Sequence, residues 1–445
     1  MTTHLFPHKR MRHLSHTLVL WLKEGEYSMN NRNVLISGAS VAGPALAFWL
    51  SRYGFQTTIV ERAPALRPGG YAVDFRGASV RVLERMNLLA EVQRQQTRVG
   101  AITIVDRDNK KVASMPDGFT SGELEILRGD LARVFHEATR NTTEYIFDDS
   151  IAAIEETAGG VDVTFLRGRR RRFDLVVGAD GLHSRVRSVV FGAEAKFIRH
   201  LGYYVSIFTV PNYLNLKRSG LYYGTLGKKV GIFSGKDDGE AMASFFFASQ
   251  PLEYDRRDVE QQKSILRERF AGEAWEAPRL MEMMNKAPDF YFDSVSQIKM
   301  DRWSKGRSVL LGDAAYCASP LSGMGTGMAV VGAYVLAGEL MEANGDYGVA
   351  FERYEGLMRD FVKQCQQIAD GGTDWFVPRT RFRLWLSNQM WRILPYTPWK
   401  NMMIEVPLKI ANSISLKDYK NSVDWHLPAA KEDVAVSIES HSPQH

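Results

Sequence analysis

The sequence is poor in cysteine and has no long apolar run, and each absence excludes a class of protein. Its 445 residues include two cysteines, Cys317 and Cys365, whose spacing fits neither a CxxC redox motif nor a set of metal ligands. A disulfide-rich secreted scaffold is therefore excluded, no metal site is expected, and a reducing, cytoplasmic location is expected. No stretch reaches the roughly 18 consecutive apolar residues of a membrane-spanning helix, so no stable membrane association is expected.

A strong charge of one sign is also missing. The formal net charge is +5, spread along a chain that is 24% charged and 45% hydrophobic. This balance is typical of a globular protein with a sizeable core. It attracts anionic ligands such as a dinucleotide, but it is too diffuse to indicate a nucleic-acid partner. The basic run at 167–172 is interpreted as the solvated tip of a hairpin.

Residues 33–61 have the pattern of a nucleotide-binding βαβ unit. Asn33 to Ser37 and Gln56 to Val60 are apolar, β-branched runs, and Pro44 to Tyr53 has helical character. Glycines in the first turn let the backbone approach a pyrophosphate, and the following helix N-terminus attracts its charge. The predicted contacts are Gly38, Ser40, Val41, Ala42 and Gly43 in the turn, with Glu61 on a ribose hydroxyl.

Ser40 departs from the GxGxxG fingerprint, which has glycine at its position. A small residue still fits there, but the contact tightens and a hydroxyl is added. The six-residue match alone is equally compatible with a strand–turn–helix corner that binds nothing. The βαβ context and Glu61 favour the nucleotide.

Two later segments follow buried strands in the same way. Asp174 to Ala179 delivers Asp180-Gly181-Leu182-His183-Ser184-Arg185-Val186-Arg187, and Ser308 to Leu311 delivers Gly312-Asp313. A Pro- and Gly-rich loop, Pro320 to Gly327, then opens an apolar helix. The alternatives are a strand-end turn with Arg187 as a surface cation, and a glycine-rich loop without a ligand.

In this order, with a single nucleotide fingerprint, the three segments resemble the p-hydroxybenzoate hydroxylase-like (class A) FAD-dependent monooxygenases. The resemblance implies non-covalent FAD, with Asp313 accepting a hydrogen bond from its ribitol chain. It further implies that Asp180 supports the pyrophosphate and that Arg128 lies near the phosphates or ribityl chain. The remaining contacts implied by the resemblance are Arg62, Arg67, Gly70, Asp74, Gly312, Pro320, Gly323, Met324 and Gly325.

A narrower resemblance is to the tetracycline destructases, over about 31–395. It is carried by Gly69 to Gly77, Glu125 to Asp130, 205–214 and Gly312 to Leu340. Two residues depart from the broad family and match this branch: Tyr316 stands where the family has His, and Gly332 where it has Asp.

The resemblance implies an α/β fold: a Rossmann-like FAD-binding domain with an inserted substrate-binding β-sheet domain and a C-terminal helical extension. The strand-rich substrate region is expected to contain one helical insertion, at about 257–270. The predicted parts are a disordered extension (1–30), the FAD-binding domain (31–98, 123–196 and 298–345), the substrate domain (99–122 and 197–297), C-terminal helices (346–425) and a disordered tail (426–445).

The implied activity is hydroxylation, and thereby inactivation, of tetracyclines through a C4a-hydroperoxyflavin, with O2 as co-substrate. No catalytic protein residue is expected, because the chemistry belongs to the flavin. NADPH (or NADH) must visit transiently, since no second Rossmann fingerprint exists. The chain is expected to act as a monomer. The alternatives are hydroxylation of another phenolic or polyketide substrate, a flavin reductase or redox protein, and a non-enzymatic binding module.

The C-terminal region has helical periodicity. Apolar residues from Phe351 to Ile368 form one stripe, which Gly371-Gly372 is predicted to stop. A second amphipathic helix, at about 380–394, carries several arginines. We expect it to pack across the mouth of the substrate domain; the alternative is a helix lying on a membrane.

Overall fold

The computed structural model describes residues 30–419, except 68, 116–120, 237–238 and 399, and gives only the backbone of 371–373 and 403. The predicted disordered tail (426–445), and all of the predicted extension except residue 30, lie outside the described residues. The helices are α1 (Ala42–Arg52), α2 (Ala78–Arg85), α3 (Leu89–Arg94), α4 (Arg128–Thr139), α5 (Arg185–Val190), α6 (Val259–Phe270), α7 (Ala277–Met284), α8 (Asp313–Tyr316), α9 (Gly325–Glu342), α10 (Tyr347–Phe376), α11 (Arg381–Ile393) and α12 (Met402–Ala411).

The strands belong to four sheets. In chain order they are β1 (Asn33–Ser37), β2 (Gln56–Glu61), β3 (Ala72–Phe75), β4 (Ile102–Val105), β5 (Lys111–Met115), β6 (Leu124–Leu127), β7 (Thr143–Phe147), β8 (Ile151–Thr157), β9 (Gly160–Phe165), β10 (Arg170–Phe173), β11 (Leu175–Gly178), β12 (Ile198–Pro211), β13 (Ser219–Thr225), β14 (Lys228–Ser234), β15 (Glu240–Ala248), β16 (Tyr291–Ile298), β17 (Ser304–Lys305) and β18 (Ser308–Leu310).

The first sheet has the order β17-β18-β11-β1-β2-β7, and all of its strands except the edge strand β17 run parallel. Val34, Leu35 and Ile36 of β1 are fully buried, as expected for a parallel strand covered on both faces. Helices α1 and α9 pack against each other over this core. Because the strands are parallel, the segments that follow β1, β2, β11 and β18 meet at one edge.

The second sheet has seven strands in the order β16-β12-β15-β14-β13-β4-β5. One face packs on α6 and α7 through aromatic and aliphatic side chains such as Phe208, Phe245 and Leu280. The sequence predicts one helical insertion here, and the structure has two, because a second short helix with its own apolar face, α7, follows α6. The remaining sheets are the antiparallel ribbon β3–β6 and the three-stranded sheet β10-β9-β8.

The long helix α10 corrects one prediction. It continues through Gly371 and Gly372 to Phe376 rather than stopping at the glycines. Glycine costs about 1 kcal/mol in a helix interior, which tertiary packing readily offsets. Here the ring of Phe376 packs edge-to-face on Tyr222 and Phe246 of the second sheet.

The predicted α/β architecture is confirmed: a Rossmann-like parallel sheet with an added β-sheet and C-terminal helices. The domain boundaries stay a prediction. Over the residues that the structure describes, no helix is both long enough and apolar enough to cross a bilayer.

Candidate active site

The turn after β1 depends on two glycines. Gly38 has φ +109°, and a Cβ placed there would lie 2.5 Å from the carbonyl oxygen of Ala179. A Cβ at Gly43 would lie 2.0 Å from the Gly38 carbonyl oxygen. The turn can therefore pack this closely only with glycine at both positions. Val41 and Ala42 lie between the two glycines and are buried, and α1 begins at Ala42. The first turn of a helix has backbone N–H groups without partners in the helix, which suits an anionic ligand.

Glu61, at the end of β2, is fastened to the same turn. Its carboxylate accepts hydrogen bonds from the backbone N–H groups of Ala39 and Ala63, each at 2.9 Å. This places the carboxylate beside the turn from Gly38 to Gly43. Its contact with a ribose hydroxyl stays a prediction.

Arg128, the first residue of α4, explains the departure at Ser40. The guanidinium Nε donates to the Ser40 hydroxyl at 3.1 Å, and the same guanidinium lies 5.7 Å from the ring centroid of Tyr71. Glycine at position 40 could not accept this hydrogen bond. Arg128 thus reaches the nucleotide turn from a segment 88 residues away, where its fixed fork of donors suits a phosphate.

Asp313, which opens α8, faces the same space. It follows Gly312, whose φ is +65°, and its Oδ1 would lie 3.6 Å from a Cβ at Gly325, the first residue of α9. Burial raises the pKa of Asp313, and the charge of Arg128 opposes this rise. Within the described part of the chain, no N–H or O–H group donates to its carboxylate, and the Cys317 thiol is its hydrogen-bonding neighbour. A desolvated carboxylate in this state fits a ligand hydroxyl.

The glycine-rich loop after α8 is held by Arg76, the residue that follows β3. Arg76 donates through Nη1 to the carbonyl oxygen of Gly323 at 3.0 Å and lies 3.3 Å from the Asp74 carboxylate. The loop comprises a short 3-10 turn at Pro320–Ser322, then Gly323 with φ +61° and the buried Met324. Asp74 therefore contacts the loop through Arg76, in addition to its own predicted role.

The carboxylate of Asp180 is hydrogen-bonded to other groups of the protein. It accepts hydrogen bonds from the Ser37 hydroxyl at 3.2 Å, from the Ser184 hydroxyl, and from the backbone N–H groups of Arg185 and Val186 at 2.8 and 3.2 Å. These contacts cap α5 and hold its turn against β1. Any support that Asp180 gives to a pyrophosphate is through this turn, and that support stays a prediction.

Two residues of the same segment, Arg187 and His183, lie close to this site but are not among the predicted cofactor contacts. Arg187 is fully buried rather than a surface cation, and it donates to the Ala314 carbonyl oxygen of α8 at 2.9 Å. His183 lies 3.0 Å from carboxylate oxygens of both Glu194 and Asp293. Burial opposes protonation, but these two hydrogen bonds raise the pKa of His183 above its ordinary value. Both residues lie in the segment from Asp180 to Arg187. Its position after a buried strand was the signal in the sequence that could have identified them.

Three further predicted contacts lie on the segment between β2 and β3, where a Cβ at Gly70 would lie 3.8 Å from the Cβ of Arg128. Arg62 and Arg67 are exposed and border a surface cleft of about 450 Å³ formed by residues 62–67. Gly70 has φ +90°, and its N–H donates to the Asp289 carboxylate at 3.2 Å. Their roles toward FAD stay predictions.

One face of the seven-stranded sheet begins beside Tyr71 and Arg128. The ring of Tyr291 lies 5.2 Å from that of Tyr71. Because residues in register share a face of a sheet, the row from Tyr291 can be followed across the strands. It continues through Ile207, Ser244, Gly231 and Tyr222.

The adjacent row on this face ends in a buried lysine. It runs from Asp293 through Val205 and Phe246 to Lys229. Lys229 is 7% exposed, and its Nζ lies 3.8 Å from the ring centroid of Phe376. Among the described residues, no carboxylate lies within ion-pair distance of this ammonium. Burial lowers the pKa of Lys229 to about 7.

The two departures at Tyr316 and Gly332 are coupled. A Cβ at Gly332 would lie 2.2 Å from the Tyr316 hydroxyl oxygen, so the tyrosine needs a glycine opposite it. The hydroxyl of Tyr354 donates to that of Tyr316 at 3.0 Å. The pair is therefore one packing solution rather than two independent changes.

Comparisons with known proteins agree with this geometry. A family model described as "FAD binding domain" matches residues 31–367. The chain is 47% identical over 343 residues to "Uncharacterized protein MT1298" of Mycobacterium tuberculosis (strain CDC 1551 / Oshkosh), covering 76% of this chain and 92% of the relative. It is 38% identical over 396 residues to a "Flavin-dependent monooxygenase" of Legionella longbeachae, covering 88% and 99%.

Among solved structures, the tetracycline destructase Tet(51) is similar, with a TM-score of 0.75 and 35% identity. The similarity covers 87% of this chain and 98% of that one. The family match spans the turn from Gly38 to Gly43, Arg128, Asp313 and the glycine-rich loop, and the groups present there suit a dinucleotide. The resemblance seen in the sequence is confirmed: this chain belongs to the FAD-binding-domain family and is an FAD-dependent monooxygenase of class A.

Proposed function

We propose that this monooxygenase hydroxylates tetracyclines and thereby inactivates them, with NADPH or NADH as the electron donor. The observation that carries the proposal is the similarity to Tet(51), which extends over 87% of the chain. The coupled pair of Tyr316 and Gly332, which departs from the broad family and resembles the destructase branch, agrees with it.

The predicted FAD-binding residues would contact different parts of the cofactor. The turn at Gly38 to Gly43 and Arg128 would hold the phosphates, and Asp313 would accept from the ribitol chain. The glycine-rich loop and the N-terminus of α9 would lie at the isoalloxazine edge, where backbone N–H groups stabilise negative charge. Bound FAD supplies electron transfer from the nicotinamide to O2 and transfer of one oxygen atom to the substrate.

The substrate is expected to lie on the face of the seven-stranded sheet described by the two rows. Tyr291, Ile207 and Phe246 present aromatic and aliphatic surface to a flat, fused-ring molecule. Such surface also excludes water, which protects the oxygen-transfer step from unproductive side reactions. Lys229 adds a cation at the far end of the face, suited to the anionic enolate or phenolate oxygen of such a molecule.

The direct test is NADPH consumption by the purified enzyme with and without a tetracycline, together with the mass of the product. We expect tetracycline-dependent NADPH oxidation and a product that has gained oxygen, or one rearranged from it. Hydroxylation of simple phenols with no change in tetracycline mass would instead support the other hydroxylase function. NADPH oxidation without any oxygenated product would support the reductase alternative.

Lys229→Met is expected to raise the KM for tetracycline by about 10- to 150-fold, with a smaller change in kcat. The reason is the loss of a charge-assisted hydrogen bond worth about 1.5–3 kcal/mol. The wild-type KM should also rise as pH rises above about 7, where Lys229 loses its proton, and the variant should lack this dependence.

The matched control is Lys228→Met. Lys228 is the neighbouring residue on β14, points to the opposite face and pairs with Glu273 at 2.8 Å. It should leave the KM for tetracycline unchanged. Equal KM values in wild type and Lys229→Met would contradict the predicted role of Lys229.

A further inference from the structure

The ribbon β3–β6 carries two carboxyl groups on one of its faces. Val73, Phe75, Leu124 and Ile126 are buried in the core of the FAD-binding region. The alternate residues therefore face the other way, and Asp74 is paired in register with Glu125. Side chains directly opposite each other in an antiparallel pair have Cβ atoms about 5 Å apart, and like charges there repel.

Glu125 is 5% exposed and is held in place by the segment that leads into β4. Its Oε1 accepts from the Thr97 hydroxyl at 2.8 Å and from the Val99 N–H at 3.2 Å. Burial and then the charge of Asp74 raise the pKa of Glu125 to about 7.

The other charged side chains near Glu125 are exposed or paired with another residue. On the same segment, the side chain of Arg98 is exposed. Gly235 packs on Thr97, and the next residue, Lys236, pairs with Asp130 at 2.9 Å. Asp74 and Arg76 are therefore the charges that act on Glu125.

Asp74 connects this pair to the flavin loop. Its Oδ1 accepts from the Gly122 N–H at 3.0 Å, and its Oδ2 lies 3.3 Å from Arg76 Nη1. The same Nη1 donates to the Gly323 carbonyl oxygen at 3.0 Å. One arginine thus bridges the carboxyl pair and the loop predicted to lie at the isoalloxazine edge.

We propose that Glu125 is a positioning residue: Asp74 and Glu125 hold one proton between them, and the charge on Glu125 acts through Asp74 and Arg76 on the loop at Gly323. With Glu125 protonated, Arg76 balances a single carboxylate. When Glu125 ionises, the three groups carry a net negative charge beside the loop. Reduced flavin gains negative charge, so ionised Glu125 disfavours reduction. The proposal rests on the FAD site of the family and is independent of the proposed substrate.

The test uses the FAD-loaded enzyme without NADPH or tetracycline. Wild type, Glu125→Gln and Glu84→Gln are equilibrated with a redox dye between pH 6 and 8.5, and the reduced fraction of flavin is read from its absorbance. We expect the reduced-to-oxidised ratio of wild type to fall about threefold to tenfold further than that of Glu125→Gln as pH rises through 7. Glu84, which is exposed on α2, serves as the control and should follow wild type. Glu125→Asp should keep the step at a shifted pH.

Two results would overturn the proposal. One is superimposable profiles and equal FAD Kd values in wild type and Glu125→Gln. The other concerns Thr97→Val, a variant that tests the proposal even if Glu125→Gln does not fold. This variant removes the hydroxyl that stabilises ionised Glu125 and should raise the pH of the step. An unmoved step in Thr97→Val contradicts the role of Glu125.

Discussion

Asp313→Ala is expected to release most of the bound FAD from an otherwise folded protein. Wild type should be yellow as purified, with non-covalent flavin, and the variant nearly colourless. The lost hydrogen bond is charge-assisted and worth about 1.5–3 kcal/mol, which corresponds to a 10- to 150-fold rise in the Kd for FAD. Flavin fluorescence on titrating the apoprotein with FAD measures this directly.

The stability of the apoprotein separates a binding role from a structural one. Burial raises the pKa of Asp313, so the ionised carboxylate costs free energy in the folded protein above its unfolded pKa. The thermal midpoint of apo Asp313→Ala should therefore equal or exceed that of apo wild type at neutral pH. Asp301→Ala, which removes an exposed carboxylate shortly before β17, serves as the control. Full FAD occupancy in Asp313→Ala, or an unfolded apoprotein, would contradict the assignment.

Trp391→Ala is expected to open the substrate face without loss of FAD. Trp391 is 5% exposed and packs with Leu394 against the β4–β5 hairpin and Tyr222. Truncation of a buried tryptophan lowers stability by about 3–5 kcal/mol, and here it weakens the packing of α11 on the second sheet. We expect a higher KM for substrate and a larger share of NADPH oxidation that reduces O2 to free hydrogen peroxide, because water reaches the site.

Trp385→Ala is the matched control, since this tryptophan lies on the same helix and is 56% exposed. It should keep the wild-type KM and coupling. If Trp391→Ala instead lost FAD, α11 would be an ordinary core helix. Partition of wild type, but not Trp385→Ala, to lipid vesicles would support the membrane alternative, for which exposed Phe382 and Trp385 are the candidates.

Point variants isolate α11 better than truncation of the chain. The segment after α12 returns to the FAD-binding region, where Lys417 pairs with Glu339 of α9 and the Tyr419 hydroxyl donates to the same carboxylate at 2.8 Å. Glu339 is fully buried. Removing these partners would leave the buried carboxylate with Arg353, at 3.9 Å, as its remaining ion-pair partner among the described residues, which is destabilising.

The sequence alone predicted the elements that depend on local backbone requirements. The run from Asn33 to Ser37 is a buried parallel strand because its apolar, β-branched pattern admits little else. Gly38 and Gly43 mark a turn that no side chain could enter. The same local signals predicted that Gly312 and Asp313 follow a buried strand.

Only the tertiary structure decided which distant side chains meet. Arg128 reaching Ser40, Tyr316 filling the space above Gly332, and Glu125 facing Asp74 each join residues on separate elements. The hydrophobic periodicity of the sequence does not predict such a pair, because the geometry of the pair depends on how whole helices and strands pack. For the same reason α10 passes through Gly371 and Gly372: local propensity ends a helix there, but the anchoring of Phe376 on the second sheet sustains it.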